Sequence, residues 1–275
     1  MVTQRCVPHG PSFRSQFMKQ NIFRTSAQPR PMKFFSGRKV NWFAWRALPF
    51  LLLLLGAGTA YAHGEDYIDE TLVFQTVEKG AIETAYWFDY GYRRDSDTYF
   101  QRHNLVLEYG ITNRLMVDGR VTLDHPENRN TNFNFGRFET RYRFTEKGAW
   151  PIDIALSGEA NVGRLEHGRY QYGVEPRLIL SKDFSKLNLT LNVAEELPVN
   201  RGAPSVQLAS GARYDLTQLF RFGSELKYDV HERSGSIIPQ IWFAFPHDVT
   251  FKTGFSAGFD RNRENFARFV IEVEF

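Results

Sequence analysis

The sequence predicts an all-β chain that forms a single antiparallel, up-and-down transmembrane β-barrel of about 12 strands. Three observations indicate this fold. Residues 80–275 alternate apolar and polar side chains with a period of two, the connections between these runs alternate between short and long, and a predicted export signal precedes them. A closed barrel also removes the unpaired hydrophobic edges that an open sheet of this length would leave.

The export signal is predicted over residues 1–62. This stretch has nine basic and no acidic residues, and it ends in the apolar run ALPFLLLLLGAGTAYA at 47–62. The run is shorter than the ~20 residues that a transmembrane helix needs, and its last three residues form an A-x-A cleavage site. We therefore expect cleavage after Ala62 and export to the outer membrane of a Gram-negative bacterium. Met32 opens a leader of conventional length, so it is an alternative true start.

The parts of the chain before and after the predicted cleavage site differ in the sign of their net charge. The formal net charge of the whole sequence is +3, but without residues 1–62 there remain 25 basic and 31 acidic residues, a net charge of about −6. The basic isoelectric point therefore gives no support to nucleic-acid binding, and we expect no nucleic-acid partner. The single cysteine, Cys6, lies in the signal, so the exported part has no disulfide.

The exported part divides into a short leading segment and the barrel. Residues 63–79 are expected to form a periplasmic N-terminal segment that leads into the first strand. Within it, the stretch TLVFQTVE is expected to pack into the lower end of the lumen as a partial plug. Residues 80–275 are the predicted barrel.

The strands follow from a repeating unit of roughly 16 residues, in which an alternating run is followed by a turn. Eleven connections join twelve strands, and short and longer connections alternate, which is the layout of outer-membrane barrels. The shorter connections are expected at 112–114, 145–151, 182–186, 216–219 and 246–248. The longer polar ones are expected at 93–97, 124–132, 164–169, 195–204, 231–236 and 260–265.

The two faces of the strands differ in chemistry. In FETRYRF, for example, Phe138, Tyr142 and Phe144 alternate with charged residues. A soluble β-sandwich shows the same alternation, but three features favour the barrel: the export signal, a hairpin partner for every strand, and aromatic residues at strand ends on the apolar face. These aromatic residues are Tyr86, Tyr90, Tyr92, Tyr109, Tyr170, Tyr172, Tyr214 and Tyr228.

The last strand, FARFVIEVEF, alternates throughout and is expected to close the barrel by pairing with the first strand. Its apolar face carries Phe269, Ile271, Val273 and Phe275. This strand resembles the terminal signature of bacterial outer-membrane barrels, and the resemblance implies that it is the segment recognised by the barrel-assembly machinery. Outer-membrane lipid and lipopolysaccharide are then the expected surroundings.

A second resemblance concerns the stretches LEYGITNRLMVDGRVTL and ARYDLTQLFRFGSELKY. They are similar to strand-turn-strand units of small transporter-type outer-membrane barrels, including those linked to the meta-pathway of phenol degradation. The resemblance implies a transport function and assigns no substrate.

The inward parity of the strands predicts a charged lumen. The expected lumen-lining residues are Arg102, Glu108, Arg120, Arg137, Glu139, Arg141, Arg143, Glu159, Glu175, Arg177, Arg213, Glu225, Lys227 and Arg268. A cluster of three, Arg137, Arg141 and Arg143, favours a narrow channel or transporter for small polar or anionic solutes. The alternative is a network of ion pairs that fills the lumen and stabilises the wall. The arginines resemble the lumen of small acidic-sugar porins, from which the interleaved carboxylates depart.

Three further functions are kept as alternatives. Asp95 and Asp97 in the first long loop, with Asp229 and His231 near the ninth strand, resemble the catalytic arrangement of omptin-type surface proteases. A lipid hydrolase or a structural or adhesive surface barrel would also fit an exported barrel. The seven histidines of the sequence do not cluster, and we expect no metal site and no cofactor.

Overall fold

The computed structural model describes residues 66–69, 71–94, 96–127, 130–165, 168–200, 202–246, 248–260 and 264–275. The predicted signal at 1–62 lies outside these residues. No helix in the described part of the chain is long and apolar enough to cross a membrane. The described chain forms a closed antiparallel barrel of twelve strands, so the predicted fold class is confirmed.

Each strand pairs with its neighbours in sequence, and the last strand pairs with the first. The closing pair extends from Glu83 opposite Glu274 to Tyr92 opposite Asn265. The strands are β1 (Ile82–Arg93), β2 (Thr98–Thr112), β3 (Leu115–Pro126), β4 (Asn132–Arg143), β5 (Asp153–Arg164), β6 (Tyr170–Phe184), β7 (Leu187–Pro198), β8 (Ser205–Asp215), β9 (Phe220–Asp229), β10 (Ser234–Phe245), β11 (Val249–Gly258) and β12 (Asn265–Glu274).

The connections define two rims. We call the end that carries the connections 113–114, 144–152, 185–186, 216–219 and 246–248 the short-turn rim, and the opposite end the long-loop rim. Five of the six longer connections are shorter than expected, because the strands continue into them. For example, β7 continues to Pro198 and β8 begins at Ser205, so four of the ten residues of the loop expected at 195–204 belong to a strand.

The pleat sorts side chains between two environments. Large apolar side chains are exposed on the outer face, among them Leu105, Phe138 and Tyr172 at 50–60% exposure, whereas the alternate positions are buried inside the barrel. Seven of the eight tyrosines expected on the apolar face, all except Tyr92, are among the exposed large side chains of the outer face. The interior is therefore polar and the exterior apolar, the reverse of a soluble protein.

The end of the chain is part of the ladder. The Phe275 amide donates to the Ile82 carbonyl at 2.8 Å, and the Ile82 amide donates to the Phe275 carbonyl at 3.2 Å. Both backbone groups of the last residue are thereby satisfied.

The chain preceding β1 crosses the short-turn rim beside Gly110, the last inward-facing position of β2. The Gly80 amide donates to the Gly110 carbonyl at 2.8 Å, and a Cβ added at Gly110 would lie 1.9 Å from the Glu78 carbonyl oxygen. Only glycine leaves room for this close approach of two backbones.

We expect Gly110→Ala to lower the stability of the barrel by about 1–3 kcal/mol, because the new methyl group forces the two backbones apart. Gly158→Ala is the matched control, since a Cβ there meets nothing within 4 Å. Thermal unfolding of both variants in detergent, followed by circular dichroism, measures the difference. Equal unfolding temperatures would contradict the close approach at Gly110.

Candidate functional site

The interior of the barrel is occupied by the chain that precedes β1. We call the described residues 66–69 and 71–79 the inserted segment. The end of the segment that leads into β1 lies at the short-turn rim, where the Lys79 amide and the Thr76 hydroxyl donate to Asn113 at 3.2 and 3.1 Å. From there the segment rises into the lumen, and at its far end the Tyr67 amide donates to the Thr71 carbonyl at 3.1 Å, which turns the chain back.

The segment goes deeper than the sequence analysis expected. Residues 63–79 were interpreted as a periplasmic segment of which only TLVFQTVE entered the lower lumen. In the structure burial extends back to Tyr67 and Ile68, each 2% exposed. The physical reason is that polar groups of the inner wall hydrogen-bond to these residues and apolar groups of the wall pack against them.

Wall side chains satisfy the backbone of the inserted segment. Asn192 accepts from the Leu72 amide at 2.7 Å and donates to its carbonyl at 2.9 Å. The Glu225 carboxylate accepts from the Asp69 and Thr71 amides at 2.7 and 3.0 Å, and Gln240 accepts from the Ile68 amide at 2.8 Å. These partners substitute for the water that an irregular backbone would otherwise need.

Two aspartates of the segment bind basic residues of the wall. Asp66 accepts from Arg141 at 2.7 Å, and its carbonyl accepts from Lys252 at 2.9 Å. Asp69 accepts from Arg268 at 3.0 Å and from Lys227 at 3.1 Å. Four cations on four strands are thus held by two residues of the segment.

Arg268 has a second role, at the seam of the barrel. It lies on β12 directly opposite Asp89 of β1, and its Nε and Nη2 donate to the two Asp89 oxygens at 2.6 and 2.8 Å. Its Nη1 donates to the Ile68 carbonyl at 2.9 Å. Arg268 is 5% exposed and Asp89 is fully buried, so losing either partner would leave a buried charge, at a cost of about 3–5 kcal/mol.

Apolar contacts complete the fit. Ile68 packs with Trp87 and Val270, and two further clusters join the segment to other parts of the wall: Leu72, Phe74, Ala155 and Ile179 in one, and Tyr67, Val73 and Trp242 in the other. Fully burying each such large side chain is worth roughly 1.5–3 kcal/mol. The inward apolar residues of the wall are therefore the counterpart of the segment.

Tyr67 shows how closely the wall is shaped to the segment. Its ring lies over Gly211, where an added Cβ would be 2.5 Å from the ring carbons, and it meets Trp242 edge-on at 5.8 Å. The hydroxyl donates to Asn188 Oδ1 at 3.1 Å. Burial raises the pKa of this hydroxyl well above its usual range, so Tyr67 stays neutral.

The residues predicted to line the lumen all occupy inward positions. Nine of them are buried: Arg137, Glu139, Arg141, Glu159, Glu175, Arg213, Glu225, Lys227 and Arg268. The other five, Arg102, Glu108, Arg120, Arg143 and Arg177, are partly exposed within the barrel. Their role in transport belongs to the proposal below.

The structure places carboxylates beside the arginines that were expected to form a cationic cluster. Arg137 lies 3.3 Å from Asp118 and 3.4 Å from Glu159. Arg141 binds Asp66, and Arg143 lies 2.9 Å from Glu146 in the β4–β5 turn. Each arginine of this cluster therefore faces a carboxylate.

Acidic residues outnumber basic residues on the inner face of the strands. The basic ones are Arg93, Arg102, Arg120, Arg137, Arg141, Arg143, Arg177, Arg213, Arg221, Lys227, Lys252 and Arg268. The acidic ones are Glu83, Asp89, Glu108, Asp118, Asp124, Glu139, Asp153, Glu159, Glu175, Asp183, Glu196, Asp215, Glu225, Asp229, Glu272 and Glu274. Asp66 and Asp69 of the inserted segment add to this excess.

A second charged cluster lies near the long-loop rim. Glu264 binds Arg93 at 2.8 Å and Arg102 at 2.9 Å, and Arg93 also binds Asp124 at 2.8 Å. Burial would raise the pKa of Glu264, but Arg102 and Arg93 outweigh it and hold that pKa below its usual range. Glu264 is therefore ionised at neutral pH and ties β12 to β1 and β2.

A cavity that is partly open to solvent lies beside the inserted segment. One side is formed by the segment, from Asp66 to Val77. The other side is formed by strands on both sides of the seam, through Glu83, Trp87, Glu108, Met116, Arg137, Arg141, Lys252, Val270 and Glu272.

The residues considered for proteolysis are not brought together. Asp95 lies outside the described residues. Asp229 is buried and accepts from Ser205 and from the Glu232 amide, both at 2.8 Å, whereas His231 is exposed. Asp97 accepts from Tyr92 in the β1–β2 connection, which β10, β11 and β12 separate from β9. Among the described residues, no group of three His, Cys, Asp or Glu is arranged to hold a metal ion.

Five of the groups that hold the inserted segment were not predicted from the sequence, namely Asp66, Asp69, Asn192, Gln240 and Trp242. One signal was available: Trp87, Ile179 and Trp242 fall on the polar, inward parity of their strands. Large apolar residues on that face indicate that something other than water lies against them.

The fold and the filled lumen define a class: a twelve-stranded barrel with an apolar exterior and a charged interior. No protein-family model matches the chain, and no curated protein matches its sequence.

Solved structures of similar fold are outer-membrane barrels. The KdgM porin matches with a TM-score of 0.54 at 11% identity, covering 70% of this chain and 99% of the porin. The KdgM porin in complex with disordered oligogalacturonate matches with a TM-score of 0.52 at 10% identity, covering 71% of this chain and 99% of the porin. An outer membrane channel from Pseudomonas putida F1 matches with a TM-score of 0.56 at 12% identity, covering 77% of this chain and 100% of the channel. At such identities the likeness is one of fold.

We expect Asp69→Asn to loosen the inserted segment, because Arg268 and Lys227 lose their ion pairs with the segment. A cysteine in place of the buried Leu72 reports this in purified, folded protein through its reaction with a polar maleimide. Labelling should become roughly tenfold faster, which corresponds to about 1.4 kcal/mol of lost anchoring.

Asp97→Asn, in the same cysteine background, is the control. It removes an aspartate from the long-loop rim, away from the segment, and should leave the labelling rate unchanged. Equal rates in the two variants would show that Asp69 does not hold the segment in place.

Proposed function

We propose that this chain is an integral outer-membrane β-barrel that acts as a narrow channel for small polar solutes. The observation that carries the proposal is the combination of an apolar outer face with a charged interior that holds a cavity beside the inserted segment. An apolar exterior is stable only in lipid, and a charged, solvent-containing interior is the property of a water-filled path.

The inserted segment gives the channel its small cross-section. At twelve strands a barrel is wider than its own side chains fill. The segment fills one side of the lower lumen and leaves the cavity on the other side. A solute would thus pass between the segment and the wall formed by β1 to β4, β11 and β12.

The location and partners form part of the same proposal. The signal peptide is cleaved after Ala62, and outer-membrane lipid and lipopolysaccharide surround the apolar face. The terminal residues Phe269, Ile271, Val273 and Phe275 are the segment that the barrel-assembly machinery recognises. The two strand-turn-strand units similar to small transporter-type barrels, including those of the meta-pathway, support transport and assign no substrate.

An enzymatic function is not favoured. Asp97, Asp229 and His231 are not in contact with one another, and the Asp229 carboxylate is engaged by Ser205 and by a backbone amide. A general base must be within hydrogen-bond reach of the group that it serves. The similar solved structures named above are a porin and an outer-membrane channel.

Channel activity is tested in planar lipid bilayers. We expect the full chain to give small conductance steps, and a variant with residues 66–77 replaced by a Gly-Ser linker of equal length to give larger ones, because the lower lumen is then open. Folding of both preparations is checked by heat-dependent migration in gel electrophoresis. If both fold and neither conducts, the channel proposal fails and a structural barrel is favoured.

The role of the terminal strand is tested by Phe275→Asp. We expect less folded barrel in the outer membrane, because the segment recognised during assembly is damaged. Phe184→Asp is the matched control: Phe184 is also an exposed aromatic residue of the outer face at the short-turn rim, 56% exposed against 53% for Phe275. A charge at either position costs at most ~2–4 kcal/mol. An equal loss in both variants would mean that the charge alone, and not recognition, is responsible.

A further inference from the structure

Carboxylates form a continuous row across the inner wall. Seven of them stand directly opposite one another on seven adjacent strands, from β12 through β1 to β6. The row begins at Glu274 on the short-turn rim and climbs to Glu175, about halfway up β6. In order it comprises Glu274, Glu83, Glu108, Asp118, Glu139, Glu159 and Glu175. We call these residues the carboxylate row.

Like charges directly opposite in a ladder repel one another, so such a row requires cations. Most of it has them. Arg137 lies within 4 Å of Asp118, Glu139 and Glu159, and Arg177 binds Glu175. At the rim, Glu83 and Glu274 each take part in further interactions.

Glu108 is the exception. Among the described residues it has no ion pair and no hydrogen bond, and the nearby charges are mostly like its own: Asp118, Asp66 and Glu272, against Arg141. Arg141 is already engaged by Asp66 and Glu139. A carboxylate therefore lacks a counter-charge at the place where the row borders the cavity.

A second group at the same cavity lacks a partner. Trp87 lines the cavity and is 8% exposed, and its indole Nε1 has no hydrogen-bond acceptor among the described residues. A buried N–H without an acceptor is destabilising unless a ligand or water supplies one. Val270 and Met116 complete an apolar surface beside it.

We infer that the cavity is a cation-selective site, in which Glu108 binds the cationic group of a small organic solute and Trp87 donates to an oxygen of the same solute. The inference rests on the proposed channel function and adds a substrate class to it. The excess of acidic over basic residues on the inner wall acts in the same direction, because a negative lumen raises the local concentration of cations.

The arginines do not oppose this polarity. Arg137, Arg141 and Arg143 each contact a carboxylate, so their charge is compensated locally and little is left to attract an anion. The carboxyl group that lacks an ion-pair partner at the cavity is that of Glu108.

The first experiment measures ion selectivity in a roughly tenfold KCl gradient across a planar bilayer. We expect the reversal potential to show that K⁺ passes more readily than Cl⁻, and Glu108→Gln to lower this permeability ratio by about threefold or more. Glu195→Gln is the matched control, because Glu195 is an exposed carboxylate on the outer face of the same barrel and should not change the ratio.

The second experiment measures the solute class by swelling of proteoliposomes. Ethanolammonium and glycolate are similar in size, carry one hydroxyl group each and differ in charge. We expect faster entry of ethanolammonium than of glycolate, and Glu108→Gln to remove the difference.

A purely structural role of Glu108 has a different signature. Relief of repulsion within the carboxylate row would raise the thermal stability of Glu108→Gln without changing selectivity. An unchanged permeability ratio in this variant, or a preference for Cl⁻ or glycolate in the wild type, overturns the inference while the channel proposal stands. Absence of conductance, even without the inserted segment, overturns the channel proposal itself.

Discussion

The ion pair between Arg268 and Asp89 is the interaction on which the other parts of the structure converge. It joins β12 to β1, so it lies across the seam that closes the barrel. The same guanidinium binds Asp69 and the Ile68 carbonyl, so it also fixes the far end of the inserted segment. Arginine suits this position because its planar fork donates to several acceptors at once, which the single ammonium of lysine does less well. Closure of the wall and filling of the lumen are thereby coupled through one side chain.

The width of the barrel explains why the lumen needs a filling at all. Twelve strands enclose more space than inward side chains occupy. Without the inserted segment, the charged side chains of the wall would have only one another as partners. The inserted segment brings backbone amides and carbonyls to Glu225, Gln240 and Asn192, and brings apolar side chains to Ile179 and Trp242. Polar and apolar parts of the inner wall are each matched by a part of the segment.

The sequence predicts the features that depend on local pattern. A period of two fixes which face of each strand is apolar, and alternating connections fix the number of strands, so residues such as Arg137 and Glu225 could be placed on the inward face from the sequence. Features that depend on long-range pairing could not be predicted. Asp69 and Arg268 are 199 residues apart, and the sequence around each residue gives no sign that it contacts the other. The neighbours of Arg137 likewise depend on the register between β3, β4 and β5, which periodicity alone does not set.

The two interpretations of the charged lumen, a channel or a network that stabilises the wall, describe different parts of one interior. Around Arg137 and Arg268 the charges are paired and buried, and their removal would leave uncompensated charge, so these groups stabilise the barrel. Beside the inserted segment the pairing is incomplete, and Glu108 faces a cavity. Paired charges contribute little field at a distance, whereas an unpaired charge at a narrow place in a low-dielectric wall dominates the local potential. In the proposed channel, selectivity is therefore set by Glu108, which the network leaves unpaired, and a count of arginines on the inner face does not predict it.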